Sequence, residues 1–167
     1  MTYEGMGYVA RIMNCVVTDG TGMRVSVYVS GCHFHCPECF NASIWSFNHG
    51  ERITEQKIEE ILTLLDKDYI SGLSLLGGEP LDNLAVIQPL ISAFSKKFGN
   101  RKDIWMWSGY MIEYIKNTPV LAEVLNNIDV LVDGPYVHSL FQPNLKFRGS
   151  LNQRIHYLNK GNILHEK

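Results

Sequence analysis

Residues 24–39 read RVSVYVSGCHFHCPEC, and two signals meet in them. Val25, Val27 and Val29 alternate with Ser26, Tyr28 and Ser30, a period of two that predicts a β-strand. The period stops at Gly31. Cys32, Cys36 and Cys39 follow at the spacing C-x₃-C-x₂-C, inside a stretch from 31 to 50 that has Gly, Cys, His, Pro and Asn but no periodicity, hence a loop. A strand that opens at its carboxyl end into chemically reactive side chains is the pattern of a parallel β/α protein, where sites collect at that end of the strands.

Working outward, the pattern repeats. Residues 73–76 form a short apolar run ended by Gly77-Gly78, which fits a buried strand. Residues 104–107 read as a third strand, 130–132 as a fourth stopped by Asp133-Gly134-Pro135, and 154–158 as a fifth. Thr54 is placed as a helix N-cap with Glu55 in the first turn, followed by Ile58, Ile61, Leu62 and Leu65 at helical spacing. Ile87, Ile91, Phe94 and Phe98 make the next apolar stripe, with Pro89 tolerable only if the first turn begins close to it. A third helical stretch over 111–125 is interrupted at Pro119, with Thr118 capping the restart. Strands alternating with helices imply right-handed crossovers and a mostly parallel sheet. Periodicity alone leaves open whether that sheet is doubly wound or a partial barrel. No repeat, low-complexity tract or linker divides the chain, so one domain over 1–167 is expected.

Composition narrows the function classes. Hydrophobic residues are 46% and charged ones 19% of 167 residues, which excludes a disordered chain or a coiled coil. The length falls short of the roughly 250 residues of a complete eight-fold barrel. Lys and Arg total 15 against 17 acidic residues, so neither nucleic acid nor an acidic tail is indicated. No apolar run approaches the ~20 residues that span a bilayer. Residues 1–11 contain Glu4 and no apolar core, so no export signal is read and the cytoplasm is expected. Thiols stay reduced there, and the three clustered cysteines therefore read as a metal site rather than a disulfide framework. Cys15 stands apart from the three and is expected to be a buried small hydrophobe.

Thiolates are the usual ligands of iron–sulfur clusters. Three of them on a four-iron cluster leave one iron without a protein ligand, the open position that a catalytic metal needs. The spacing also admits a structural zinc held by the three cysteines with His33, His35 or Cys15. Gly77-Gly78-Glu79-Pro80 follows a predicted strand. Its glycines allow close approach of a ligand and positive φ, and Glu79 offers a carboxylate to an ammonium group; a tight turn with an exposed Glu is the plainer reading. Asp19-Gly20-Thr21-Gly22 and Asp133-Gly134 read as turns.

Taken together, C-x₃-C-x₂-C after one strand and GGEP after the next resemble the radical S-adenosylmethionine superfamily. Asp19-Gly20-Thr21-Gly22-Met23-Arg24 is similar to the DGPG-x-R segment of activases of glycyl radical proteins. Cys36-Pro37-Glu38-Cys39-Phe40-Asn41, with Trp45 after it, resembles the CPGCYN…W segment of the anaerobic ribonucleotide reductase activases. Residues 107–110 (WSGY), 132–136 (VDGPY) and 147–154 (FRGSLNQR) look like later blocks of that family, so the resemblance runs from about residue 8 to 158. Glu38 stands where this family carries glycine, and Thr21 where it carries proline.

The resemblance implies a shortened, laterally open β/α barrel. Cys32, Cys36 and Cys39 would hold a 4Fe–4S cluster with one open iron, which chelates the amino and carboxylate groups of S-adenosyl-L-methionine. Cofactor contacts are expected at Glu38, Cys39, Phe40, Gly77, Gly78, Glu79, Ser108 and Asp133. One electron cleaves S-adenosylmethionine to a 5′-deoxyadenosyl radical, which takes hydrogen from a glycine in the glycyl radical subunit of an anaerobic ribonucleoside-triphosphate reductase. A flavodoxin-like protein would donate the electron. Residues 148–154 would either recognise the reductase or frame the open end of the barrel. A pyruvate formate-lyase-type activase, a small-molecule radical S-adenosylmethionine enzyme and a zinc module stand as alternatives.

Overall fold

A computed structural model describes residues 7–166; residues 1–6, most of the stretch read above as lacking an export signal, lie outside the described residues. Among the described residues the strands are β1 (Tyr8–Val16), β2 (Met23–Val29), β3 (Glu51–Arg52), β4 (Ile70–Gly77), β5 (Asp103–Ser108), β6 (Val130–Asp133), β7 (Arg154–Asn159) and β8 (Asn162–Glu166). They form one sheet in the order β3-β1-β2-β4-β5-β6-β7-β8. Four α-helices connect or flank them: α1 (Glu55–Leu65), α2 (Leu84–Phe98), α3 (Ile112–Asn117) and α4 (Pro119–Leu125). None is long and apolar enough to cross a membrane.

The sheet is partly, not mostly, parallel. β2, β4, β5 and β6 pair in parallel, and helices lie in the connections between β2 and β4, β4 and β5, and β5 and β6. β1 pairs antiparallel with β2 and β3, β6 with β7, and β7 with β8. The chain explains the difference: β1 returns into β2 through a short turn, and residues 134–153 lead from β6 to β7 without an α-helix. Antiparallel pairing needs no crossover helix.

One face of the sheet packs on the helices. Val25, Val27, Leu73, Leu75, Ile104, Met106 and Leu131 share a core with Ile61, Leu62, Leu65, Leu90 and Phe94. The opposite face carries Trp105, Val130, Val132 and Ile155, with Trp107, Phe147 and Tyr157 against them. The polar half of the β2 alternation is buried too: Ser26 and Ser30 are fully enclosed, and Ser26 Oγ donates to Asp19 Oδ2 at 2.8 Å.

Thr54 caps α1 as expected, its hydroxyl accepting from Lys57 N at 3.1 Å. Two helix details differ. Pro89 lies inside α2, past the first turn, which removes the N–H that would bond the Ala85 carbonyl; the helix continues because Leu90, Ile91 and Phe94 are buried. Thr118 precedes α4 without a capping bond, and its hydroxyl instead donates back to Tyr114 O at 2.9 Å.

Candidate functional site

The carboxyl ends of β2, β4, β5 and β6 open on one cleft. Cys32, Cys36, Cys39 and Phe40 line it together with Gly77, Gly78, Glu79 and Ser108. Glu38 and Asp133 stand outside its wall. Glu38 is exposed and holds φ at +58°, the left-handed region that favours glycine. The backbone geometry thus explains why a glycine suits this position.

Cys32 sits at the buried end of the loop, where its N–H donates to Trp45 O at 3.1 Å. Burial pushes its thiol up to about 11 and lifts that of Cys36 as well; a bound metal centre deprotonates a coordinating thiol outright. Among the described residues, no three His, Cys, Asp or Glu side chains converge closely enough to hold a single metal ion. A cubane gives each thiolate its own iron, so three thiols lining one cleft can serve a cluster without meeting at a single point. Neither histidine completes a zinc set. His33 bonds Asp82 Oδ2 at 2.9 Å and packs on Phe47, while His35 stacks on Trp45 at 4.4 Å. Cys15 is exposed, not buried. It lies at φ +58° within the irregular end of β1, where the pairing register with β2 shifts and turns its side chain out of the core.

The glycines after β4 answer to the cysteine loop. Gly78 N donates to Val29 O at 2.9 Å and Glu79 N to Gly31 O at 2.8 Å. A Cβ on Gly78 would stand 2.3 Å from Gly31 O. Gly78 is therefore demanded by the backbone carrying Cys32, before any ligand is considered. Glu79 is not an exposed turn residue. Its side chain accepts from Leu81 N (3.0 Å), Ser108 Oγ (2.8 Å) and Gly109 N (2.7 Å). Burial raises its carboxyl to about 7, against the pull of those hydrogen bonds. Glu79 ties the end of β4 to the end of β5 and leaves the Gly77-Gly78 backbone to face the cleft.

Asp133 is fully buried beside the cleft. It accepts from Ile112 N (2.7 Å) and from Arg154 Nε (3.0 Å) and Nη2 (2.5 Å), and pairs with His156 Nε2 at 3.1 Å. Burial alone would raise its carboxyl, but these partners outweigh it and hold the group near 2. Arg154 extends the network to Glu113, two contacts of 2.9 Å.

Residues 18–156 match the family described as a 4Fe-4S single cluster domain. The chain is similar to the anaerobic ribonucleoside-triphosphate reductase-activating protein of Enterobacteria phage T4, at 40% identity over 147 residues, 87% of this chain and 90% of that protein. The proteins of that name from Vibrio cholerae (38% over 144 residues; 84% and 91%) and Escherichia coli strain K12 (37% over 146 residues; 85% and 93%) are similar as well. The chain belongs to this reductase-activating protein family.

Within this member of the reductase-activating family, motif residues divide between cleft and frame. In the block at 148–154, Gln153 Oε1 accepts from Gly149 N (2.7 Å) and Ser150 N (3.2 Å) while its Nε2 donates to Gly134 O (2.9 Å). Asn152 Nδ2 donates to Pro135 O at 2.7 Å. Gly149 and Gln153 line the cleft, so this block is one of its walls. Arg24 lies at the opposite end of β2, wholly buried. It pairs with Asp103 at 2.7 Å and donates to Ser74 Oγ (2.7 Å) and Thr21 O (3.0 Å). The segment 19–24 is thus a clamp on the sheet. Reasoning from motifs missed Asn41 and Tyr136 as cleft residues. Asn41 Nδ2 donates to Gly77 O at 3.3 Å and joins the cysteine loop to β4; its place two residues after Cys39 was the available signal.

Proposed function

We propose that this chain activates an anaerobic ribonucleoside-triphosphate reductase by generating its glycyl radical through reductive cleavage of S-adenosyl-L-methionine. The observation that carries the reading is the meeting of three thiols and the Gly77-Gly78 backbone in one cleft. Cys32, Cys36 and Cys39 would hold the 4Fe–4S cluster. When bound, the cluster would supply the electron for reductive cleavage of S-adenosylmethionine, the chemistry that ends in a glycyl radical on the reductase.

The chain's own groups bind, orient and shield. The Gly77-Gly78 turn offers backbone polar groups to the methionine end of the cofactor, and backbone at 38–40 lies at hand for the adenine end. Glu79 positions Ser108 and Gly109, and Asp133 holds the start of α3 and β7 behind the cleft. Trp107 and Tyr136 close the walls against water. The presence of the 148–154 block favours the reductase over a pyruvate formate-lyase-type partner. A flavodoxin-like donor suits the low potential that this chemistry needs, and the cytoplasm suits three free thiols. We read residues 1–167 as one domain and the sheet as a laterally open β/α barrel; a linear strand order running from β3 to β8 supports both.

The test is anaerobic reconstitution, reduction, and addition of S-adenosylmethionine and the cognate reductase, followed by electron paramagnetic resonance. A glycyl radical doublet is expected with the wild type and with Cys15→Ala. Cys32→Ala, Cys36→Ala and Cys39→Ala should each lose cluster iron and signal. A colourless protein with stoichiometric zinc would overturn the proposal.

A further inference from the structure

Four large apolar residues stand exposed at the mouth of the cleft: Phe40 at 70%, Leu151 at 44%, Phe141 at 42% and Leu140 at 38%. They form a connected patch. Phe40 packs on Tyr136 at 5.2 Å and on Phe141 at 5.8 Å, and Leu151 N donates to Leu140 O at 2.9 Å. Single exposed apolar residues need no explanation, but a contiguous cluster beside a cleft marks an interaction surface. Phe40 and Tyr136 belong to the cleft wall as well, so the patch continues outward from the place where a glycine has to arrive.

That glycine brings no side chain to be recognised, so selectivity has to come from its neighbours in the peptide. Residues 136–153 carry an exposed Lys146, a half-buried Arg148 bonded to Gln153 O, and no Asp or Glu, while exposed Glu38 lies on the Phe40 side. We propose that the rim formed by Phe40, Leu140, Phe141 and Leu151 docks the glycine-bearing segment of the reductase, an extended peptide with apolar side chains flanking the glycine and a carboxylate within reach of the basic loop. This rests on the function proposed above and assigns the surface that selects its protein substrate.

The double variant Leu140→Ser/Phe141→Ser changes no residue of the cysteine loop or the Gly77-Gly78 turn, and meets that loop through the Phe40–Phe141 contact. Dithionite-reduced protein without reductase should release methionine from S-adenosylmethionine at the wild-type rate. With the cognate reductase titrated in, the KM for radical formation should rise about tenfold while kcat is retained, and Phe141→Leu should keep the wild-type KM. An unchanged KM in the double variant overturns the docking surface, as does parallel loss of S-adenosylmethionine cleavage and radical formation in a normally melting protein. Should the double variant fail to fold, Leu151→Ser is read in the same way, and an unchanged KM there overturns the inference. A wild type that cleaves no S-adenosylmethionine overturns the proposed function itself, and the docking with it.

Discussion

At Glu79 a carboxyl group with 2% of its surface exposed is surrounded by three hydrogen-bond donors. Its value near 7 lies above the ~4.3 of an unfolded chain. The folded protein therefore holds a proton that the unfolded chain has released between about pH 4.5 and 7. Stability should fall as pH rises through that window, by about 4 kcal/mol. Glu79→Gln should flatten this slope in urea unfolding at matched cofactor loading; a variant keeping the wild-type slope removes Glu79 as its source. The amide nitrogen of that Gln would also oppose Gly109 N–H, at a cost of about 1–3 kcal/mol. Glu38 carries the opposite expectation. Its φ of +58° strains a side-chain-bearing residue, so Glu38→Gly should stabilise by about 0.5–1 kcal/mol in thermal melts, with iron content unchanged.

Between elements, the contact that matters most is Gly78, just past β4, against Gly31, just past β2. Gly78→Ala places a methyl 2.3 Å from Gly31 O, and the loop leading to Cys32 has to shift. We expect a lowered melting temperature and lost iron together. Retained iron with weakened S-adenosylmethionine binding, measured by calorimetry, would return Gly78 to direct ligand contact. The motif marked the right glycine, but sequence does not reveal which backbone lies across from it. The central strands were legible because Val25, Val27 and Val29, or Leu73 and Leu75, face a core. β1 was not: its register against β2 shifts twice, and most of its residues are exposed or half-buried, so no period survives. Every residue of β8 is exposed, and β3 has two residues, too short for a pattern. The cysteines and GGEP could be read as motifs, whereas the hydrogen-bond partners of the Glu79 and Asp133 carboxylates lie 29 and 21 residues distant and carry no local signal.

Across the whole molecule, the parallel centre of the sheet joins its antiparallel flank through Asp133, bonded to α3 and β7, with His156 reaching Glu166 on β8 at 3.3 Å. The Asp133 carboxyl near 2 lies below the ~3.9 of an unfolded chain. Its contribution is complete above about pH 4 and is lost as pH falls through 2, about 2–3 kcal/mol in all. Acid unfolding of wild type should therefore steepen below pH 4, and Asp133→Asn should lose that steepening. Arg154→Ala should cost about 3 kcal/mol in denaturant titration, since it leaves a buried carboxylate short of its main cation; a cost near zero would mean the flank is held by packing alone. The wall supplied by Gly149 and Gln153 bears finally on how the protein is made. Cys39 leaves the ribosome about 110 residues before Gln153 does, an interval of about 6–20 s at common synthesis rates. Throughout that interval the nascent thiols lack one side of the enclosure that the finished cleft gives them. The cleft is therefore complete only after nearly the whole chain has been made.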